Sequence, residues 1–172
     1  MKTAIIALFT VSLFGLNSHA EDPLKGLPPQ VVSLHKAMES ECDADTAMGS
    51  ETFALGDKSF LHLVPCFSGA YNVNYMAYTS RENYVRPVMV LAYDPERRVV
   101  MPTTNLTNAS FEPKTKTLYS YAKGRGIGDC GQGSESRVLG MDSVFTTLIR
   151  DKGNCDGKDT AWPVVFRQKL KK

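Results

Sequence analysis

The sequence predicts a mainly β domain, an antiparallel meander or two-sheet sandwich with one N-terminal helix and two disulfides. Three observations support this prediction. Apolar residues alternate with a period of two from Phe53 onward. Two proline-containing turn motifs separate short apolar runs, and no helical periodicity follows residue 41. Part of a propeller-like array is the alternative architecture.

The helix is predicted over residues 29–40. Prolines 28 and 29 suit the first turn of a helix, where a missing N–H costs nothing. Three apolar residues recur at the spacing of one helical face: Val31, Leu34 and Met38. His35 lies beside this face, and we interpret it as a half-buried packing residue.

Three strands are predicted in the region after the helix. Phe60–Val64 is apolar on both faces apart from His62, as in a central strand. Residues 71–78 alternate between one apolar and one mixed face, and an apolar run follows Pro87. A histidine inside such a strand is more often a satisfied core residue than a catalytic base, and we interpret His62 in this way.

Two segments repeat one hairpin pattern. Residues 93–100 and 111–118 both read aromatic, acid, proline, two polar residues, base and then strand. Proline at the second position of a turn, with an acid before it, favours a β-turn. The segments therefore predict successive hairpins of a meander.

The last third of the chain is predicted as strands around a glycine-rich loop. Leu118–Ala122 reads as the strand that leads into this loop, and residues 131–136 read as more loop. Two short strands, 137–139 and 144–149, are expected next. Residues 161–167 form the predicted last strand, with Trp162 held extended by the proline that follows it.

Residues 1–20 have the pattern of a cleaved signal peptide. Lys2 precedes the apolar run Ala4–Leu16, and Ser18-His19-Ala20 is a small-x-small cleavage site. We therefore expect an exported, periplasmic protein. Cleavage leaves about 150 residues, which suits a single β-rich domain over 21–172.

The four cysteines all lie after the predicted cleavage site. An even number in an exported chain predicts two disulfides, with three pairings possible. We favour Cys42–Cys66 and Cys130–Cys155 because each closes a loop of about 25 residues. A zinc site formed by Cys42, His62 and Cys66 is the rival interpretation, and the absence of a C-x-x-C pair weighs against it.

The charge balance excludes some classes of partner. The formal net charge of +2 comes from 20 basic and 18 acidic residues. A near-neutral chain gives no reason to expect a nucleic acid or an anionic membrane as partner. No later segment is apolar enough to span a bilayer, so no membrane insertion is expected. The basic end, residues 169–172, reads as a solvated tail.

The most distinctive stretch is Lys123–Gly131, KGRGIGDCG, with four glycines in nine residues. Arg125 and Asp129 are expected to face each other across this loop. Either the pair only holds the turn, or Arg125 points outward to an anionic group of a partner. Asn72, Asn74 and Tyr78 complete the candidate binding set, because Asn and Tyr combine contact area with hydrogen bonding.

The known cofactor and nucleophile motifs do not indicate an activity for this chain. Residues 126–131 match G-x-G-x-x-G, but no helix is expected after them and the protein is exported, so no nicotinamide cofactor is expected. No P-loop and no G-x-S-x-G motif occurs. We expect no cofactor and no metal. Asn105-Leu-Thr107 and Asn108-Ala-Ser110 are formal glycan acceptors.

Three blocks carry a family resemblance: PCFSGAYNVNY at 65–75, YSYAKGRGIGDCG at 119–131, and the cysteine and WPVVFR between 155 and 167. Together they resemble the family catalogued as domain of unknown function number 1176. The resemblance implies an exported protein of Gram-negative bacteria with a β-rich fold. It implies no reaction, cofactor or catalytic residue. The longer members of the family also carry an upstream half.

Two functional hypotheses follow. The first is a non-enzymatic periplasmic binding or inhibitor module, whose partner is an envelope protein or glycan. Loops rich in Tyr, Asn, Arg and Gly without a catalytic set favour it. The alternative is a hydrolase acting on envelope saccharide or peptide, with Asp129 and a second carboxylate as acid and base.

Overall fold

The computed structural model describes residues 22–38, 42, 48–158 and 160–170; the predicted signal peptide lies outside them. This part of the chain forms one helix, α1 (Pro29–Met38), and twelve strands. The first seven strands are β1 (Glu51–Gly56), β2 (Ser59–Ser68), β3 (Val73–Arg81), β4 (Tyr84–Pro87), β5 (Val90–Asp94), β6 (Val99–Thr103) and β7 (Asn105–Thr107). The others are β8 (Ser110–Glu112), β9 (Thr117–Lys123), β10 (Gly131–Gly140), β11 (Ser143–Lys152) and β12 (Val164–Arg167).

The strands form two five-stranded antiparallel sheets and a separate hairpin. The first sheet has the order β1-β2-β3-β4, and β7 also pairs with β3. The second has the order β12-β11-β10-β9-β8, and β5 pairs with β6. The prediction of a mainly β antiparallel fold with one helix is confirmed.

The main core lies between the two sheets. The first sheet contributes Leu61 and Leu63 from β2 and Tyr75 from β3, and the second contributes Leu118 and Val138. Each strand places alternate residues on this side because side chains of a strand alternate between its faces. The two sheets therefore pack face to face over one buried layer. Of the predicted architectures, this is the two-sheet sandwich.

Helix α1 covers the outer face of the first sheet. Val31 packs with Val64 and Met76, which point away from the main core. The central strands are thus buried on both sides, which explains why their sequences are apolar on both faces. The Nδ1 atom of His35 lies 2.9 Å from the Tyr78 hydroxyl oxygen. His35 is fully buried, and the expectation of a half-buried side chain was wrong.

His62 is a satisfied core residue, as predicted. Its two ring nitrogens lie 2.9 Å from the Thr52 hydroxyl and 2.8 Å from the Ser80 hydroxyl. Burial lowers the pKa of His62 to about 4, because the charged imidazolium is poorly solvated there.

Both predicted hairpins are confirmed. Asp94 accepts hydrogen bonds from the backbone N–H groups of two turn residues, and Glu112 accepts one from the turn that it precedes. The base that ends each turn has a positive φ, 55° at Arg98 and 51° at Lys116. The shared sequence pattern therefore encodes the same local backbone twice.

The predicted loop over residues 131–136 was wrong, because this segment is the first half of β10. It pairs with β9 on one side and β11 on the other. Its glycines have low strand propensity, but pairing on both edges satisfies the backbone groups of the segment. Gln132 also exchanges two hydrogen bonds with the backbone of Tyr93. The last strand also begins later than predicted, at Val164, so Trp162 precedes it.

Candidate functional site

The glycine-rich loop, residues 123–131, joins β9 to β10. Gly131 has a φ of +136°, and a Cβ atom there would lie 2.0 Å from the Ala122 carbonyl oxygen. The Gly124 N–H donates to the Cys130 carbonyl at 2.9 Å, and the Gly128 N–H donates to the Arg125 carbonyl at 2.9 Å. Glycine is thus required for the close approach at the stem, and the loop closes on itself as a compact turn.

Arg125 and Asp129 form a two-pronged ion pair inside this turn. The Nε and Nη2 atoms of Arg125 donate to the two carboxylate oxygens of Asp129, at 2.7 Å and 2.6 Å. The Gly157 N–H also donates to Asp129, at 2.6 Å. The Arg125 guanidinium, helped by this N–H, holds the pKa of Asp129 well below its usual range. The carboxylate is therefore ionised and fully used as an acceptor.

A disulfide fastens the loop to the segment after β11. Cys130 is buried and bonded to Cys155, and Cys42 is bonded to Cys66, so both predicted pairings are confirmed. The Cys42–Cys66 disulfide excludes the rival zinc site, because its two sulfurs are no longer thiolates. Within the described residues no group of three or more potential metal ligands occurs.

The segment after β11, to which the loop is joined by the disulfide, is also held in place. Lys152 is buried at the end of β11, and its ammonium donates to the Lys158 carbonyl at 2.6 Å. The same ammonium lies 3.1 Å from an Asp156 carboxylate oxygen. Hydrogen bonds and ion pairs therefore hold both the loop and this segment in place next to the disulfide.

Asn72, which directly precedes β3, holds the base of the loop in place through hydrogen bonds. Its side-chain amide donates to the Lys123 carbonyl, and its oxygen accepts from the Lys123 N–H, both at 2.9 Å. Asn108 donates to the same oxygen and to the Tyr121 carbonyl, again at 2.9 Å. The Asn72 amide therefore fixes the position of the loop, and its polar atoms face protein.

The other two candidate binding residues lie elsewhere. Asn74 accepts a hydrogen bond from Thr107 and lines a cavity of about 200 Å³ beside the Cys42–Cys66 disulfide. Tyr78 is fully buried beneath α1, at 0% exposure, and its proposed surface role was wrong. The even positions of β3 are covered by a helix, which the strand pattern alone did not reveal. Arg125, Asp129 and Asn72 are the residues brought together.

Two exposed large side chains that the sequence reasoning missed lie at the loop, one within it and one packed against it. Ile127, at the tip, is 73% exposed, and Tyr71 is 50% exposed. A Cβ atom at Gly126 would lie 3.3 Å from the Tyr71 ring, so the ring lies directly against the loop backbone. Ile127 could have been noticed in the sequence as the large apolar residue between two glycines of a polar loop.

Two further aromatic residues lie at the other end of the loop tip, next to Gly128. The Tyr121 hydroxyl donates to the Gly128 carbonyl at 2.7 Å, and the ring centroids of Tyr121 and Trp162 are 5.2 Å apart. Burial, with the nearby Asp129 charge, raises the pKa of Tyr121, so its hydroxyl keeps its proton. The loop backbone is therefore held on each side of its exposed tip.

The fold and this loop define a small disulfide-bonded antiparallel β protein with one braced hairpin loop. Its two disulfides indicate an oxidising, extracytoplasmic environment. The chain belongs to the family described as "Protein of unknown function (DUF1176)", whose model matches residues 18–169. The described part of the chain contains no helix long and apolar enough to cross a membrane.

The curated relatives include the uncharacterized protein YpfG of Escherichia coli (strain K12). It is 33% identical over 127 residues, which cover 66% of this chain and 33% of that protein. The chain thus spans about a third of the length of this relative. No solved structure matches the chain.

Proposed function

We propose that the protein is a non-enzymatic binding or inhibitor module of the periplasm, and that the tip of its glycine-rich loop is the contact surface. One observation carries the proposal. A loop braced by a disulfide, an ion pair and side-chain amides presents Ile127 almost fully to solvent. A loop ordered before binding loses little conformational entropy on association.

The chemistry of the tip favours a protein partner. Ile127 is exposed, and the Tyr71 ring lies against the loop at the preceding residue, Gly126, as a flat amphipathic surface. An aliphatic anchor next to a tyrosine is typical of the central contacts of protein interfaces. The exposed part of Arg125 lies in the same loop and adds a positive charge at the rim. The favoured occupant is an apolar cleft on an envelope protein, with an acidic group at its edge.

The periplasmic assignment rests on two features. The first twenty residues have the sequence pattern of a signal peptide, and both disulfides need an oxidising compartment. The family relationship to a protein of Escherichia coli is consistent with a Gram-negative envelope.

The hydrolase alternative has weaker support. A general acid must hold a proton near neutral pH, whereas the Arg125 pair keeps the pKa of Asp129 far below its usual range. Both oxygens of Asp129 already accept hydrogen bonds within the protein. The geometry therefore suits a structural carboxylate better than an acid or a base.

The test is quantitative capture from periplasmic extract of Escherichia coli with three immobilised proteins: the unaltered chain, Ile127→Asp and Val99→Asp. Val99 is the control because it is a β-branched aliphatic residue with 46% of its surface exposed, but it lies on β6 and outside the loop. We expect a protein that the unaltered chain and the Val99 variant retain and the Ile127 variant loses. The purified partner should bind saturably, with an affinity at least about tenfold weaker for Ile127→Asp.

Equal capture by all three proteins, or no saturable partner, would overturn the proposal. Thermal melting of each variant shows whether a loss of capture comes from a folding defect. Because Ile127 is exposed at the tip, its substitution should change stability by no more than about 0.5 kcal/mol.

A further inference from the structure

We infer a second binding site, for a carboxylate, in a groove on the outer face of the second sheet. The groove has a volume of about 580 Å³ and lies across β9, β10 and β11. Its polar and charged lining includes Thr117, Tyr119, Glu135, Arg137, Thr147 and Lys169. It shares no lining residue with the glycine-rich loop, so the inference does not depend on the function proposed above.

Arg137 is the residue that points to a ligand. Its Nε atom is buried and is the one side-chain polar atom in the described part of the chain that is buried without a hydrogen-bond partner. A buried donor without an acceptor is costly, and the cost rises when the donor is charged. Arg137 lines the groove, so a small shift of its side chain toward an acceptor bound there would remove this cost, and Arg137 therefore favours occupation of the groove.

The threonine hydroxyl groups in the groove wall have no hydrogen left to donate to a ligand. Thr147 donates its hydroxyl hydrogen to the Glu135 carbonyl, and Thr117 donates to the Thr115 carbonyl. Their hydroxyl oxygens can accept but their hydrogens are already used. The cationic donors at the groove are therefore Arg137 and Lys169.

The C-terminal segment brings the second cation. The Gln168 N–H donates to the Thr147 carbonyl at 2.9 Å, which holds the chain after β12 against β11. Lys169 follows directly and lines the groove. Lys169 is exposed at the groove, and the backbone hydrogen bond of its neighbour Gln168 fixes this end of the chain to the sheet.

Charge favours a carboxylate over a phosphate. A guanidinium presents two parallel N–H donors that can bind either anion through two oxygens, so the neighbouring charges decide between them. Glu135 lines the same groove, and its negative charge penalises a phosphate dianion more than a monoanion. Tyr119, which is partly exposed, offers a flat surface for the rest of the ligand. The ligand class is a small molecule or peptide end with a single carboxylate.

The test uses three probes with the unaltered protein: N-acetyl-alanyl-alanine, its C-terminal amide, and inorganic phosphate. Heteronuclear NMR follows the Arg137 Nε–H resonance at constant ionic strength. We expect saturable shifts with the free acid, with a Kd of about 1 mM or tighter. The amide, which differs only in the carboxylate, should leave the Nε–H resonance unmoved.

Two variants locate the binding. Arg137→Gln should weaken binding of the free acid about tenfold, since a hydrogen bond to a charged group is lost. Arg81→Gln is the matched control, because Arg81 is an exposed arginine at the end of β3 and outside the groove. Its affinity should equal that of the unaltered protein.

Three results would overturn the inference. They are equal shifts with the acid and the amide, phosphate binding as tight as the acid, and no saturable shift at all. The comparison of acid with amide needs no variant, so it decides the question even if Arg137→Gln does not fold.

Discussion

Arg125 and Asp129 are joined by two hydrogen bonds, from Nε and Nη2 to the two carboxylate oxygens, at 2.7 Å and 2.6 Å. The Asp129 side chain is only 7% exposed, whereas 42% of the Arg125 side chain is accessible. Asp129 is thus the buried partner that holds the turn, and Arg125 is the partly exposed partner at the edge of the loop. This asymmetry lets one interaction serve the structure and a proposed contact together.

Replacing Asp129 by asparagine should lower the thermal midpoint at neutral pH, because the charged acceptor of Arg125 and Gly157 is lost. The pKa of Asp129 is lowered by folding, so its stabilisation is present above about pH 4 and is lost as the pH falls toward the folded value. Melting curves between neutral and acid pH should show the difference between the two proteins shrinking below about pH 4. A pH-independent difference would contradict this account of the pair.

Arg125→Ala separates the two hypotheses for the loop. If the pair is purely structural, the variant should melt at a lower temperature than the parent. If the exposed part of Arg125 also contacts the partner, the variant should in addition lose the partner captured by the loop tip. Arg125→Lys keeps the charge but cannot form the two-pronged contact. Unchanged melting together with unchanged capture would refute both hypotheses.

Gly131→Ala should be strongly destabilising, by about 3 kcal/mol or more. A Cβ atom would lie 2.0 Å from the Ala122 carbonyl oxygen, and the residue has a φ of +136°. Gly153→Ala is the control, since no atom lies within 4 Å of its Cβ position, and it should change stability by no more than about 0.5 kcal/mol. Urea unfolding of both variants gives the comparison. Similar midpoints for the two would show that the stem tolerates a side chain.

The disulfides should each contribute about 3.5 kcal/mol in the chain-entropy model, because they close loops with separations of 24 and 25 residues. Non-reducing peptide mapping should recover Cys42 with Cys66 and Cys130 with Cys155. Cys130 and Cys155 replaced together by serine should lower stability and increase hydrogen exchange in residues 123–131. Exchange that stays slow there would mean that the ion pair and Asn72 suffice to hold the loop.

His62 should make the protein less stable as the pH falls from about 6.5 to about 4. Its folded pKa of about 4 lies below the ordinary value, so only the unfolded chain binds a proton within this window. The loss should be of the order of 2 kcal/mol after allowance for solvent screening. NMR of the imidazole should show a neutral ring at pH 5, and half-titration near pH 6.5 would contradict its burial. His62→Gln should remove most of this slope.

Local chemistry made several elements readable from the sequence. The acid-proline pattern before Arg98 and Lys116 predicted two hairpins, because those residues specify a turn without help from distant contacts. The apolar spacing of α1 and the separations of the cysteines were informative for the same reason. In the candidate site, the four-residue spacing of Arg125 and Asp129 predicted that they face each other.

Contacts distant in sequence were less predictable. Tyr78 has the features of a contact residue, but its exposure depends on whether a helix covers that face of β3. Tyr71 and Gly126 are far apart in the chain, and the Tyr71 ring lies against the loop only because the loop packs there. The unpartnered Nε of Arg137 likewise depends on three strands and the segment after β12.

The sequence alone thus determined the β class, the helix and the turns, because each depends on residue spacing within a short segment. It only favoured the disulfide pairing that the structure shows. The tertiary structure decided that residues 131–136 form a central strand, since pairing on both edges outweighs their low intrinsic propensity. It also decided which polar residues face solvent: Asn72 is used to fix the loop, whereas Arg125 remains partly exposed. Burial is set by the neighbours that fold against a residue, and these lie elsewhere in the chain.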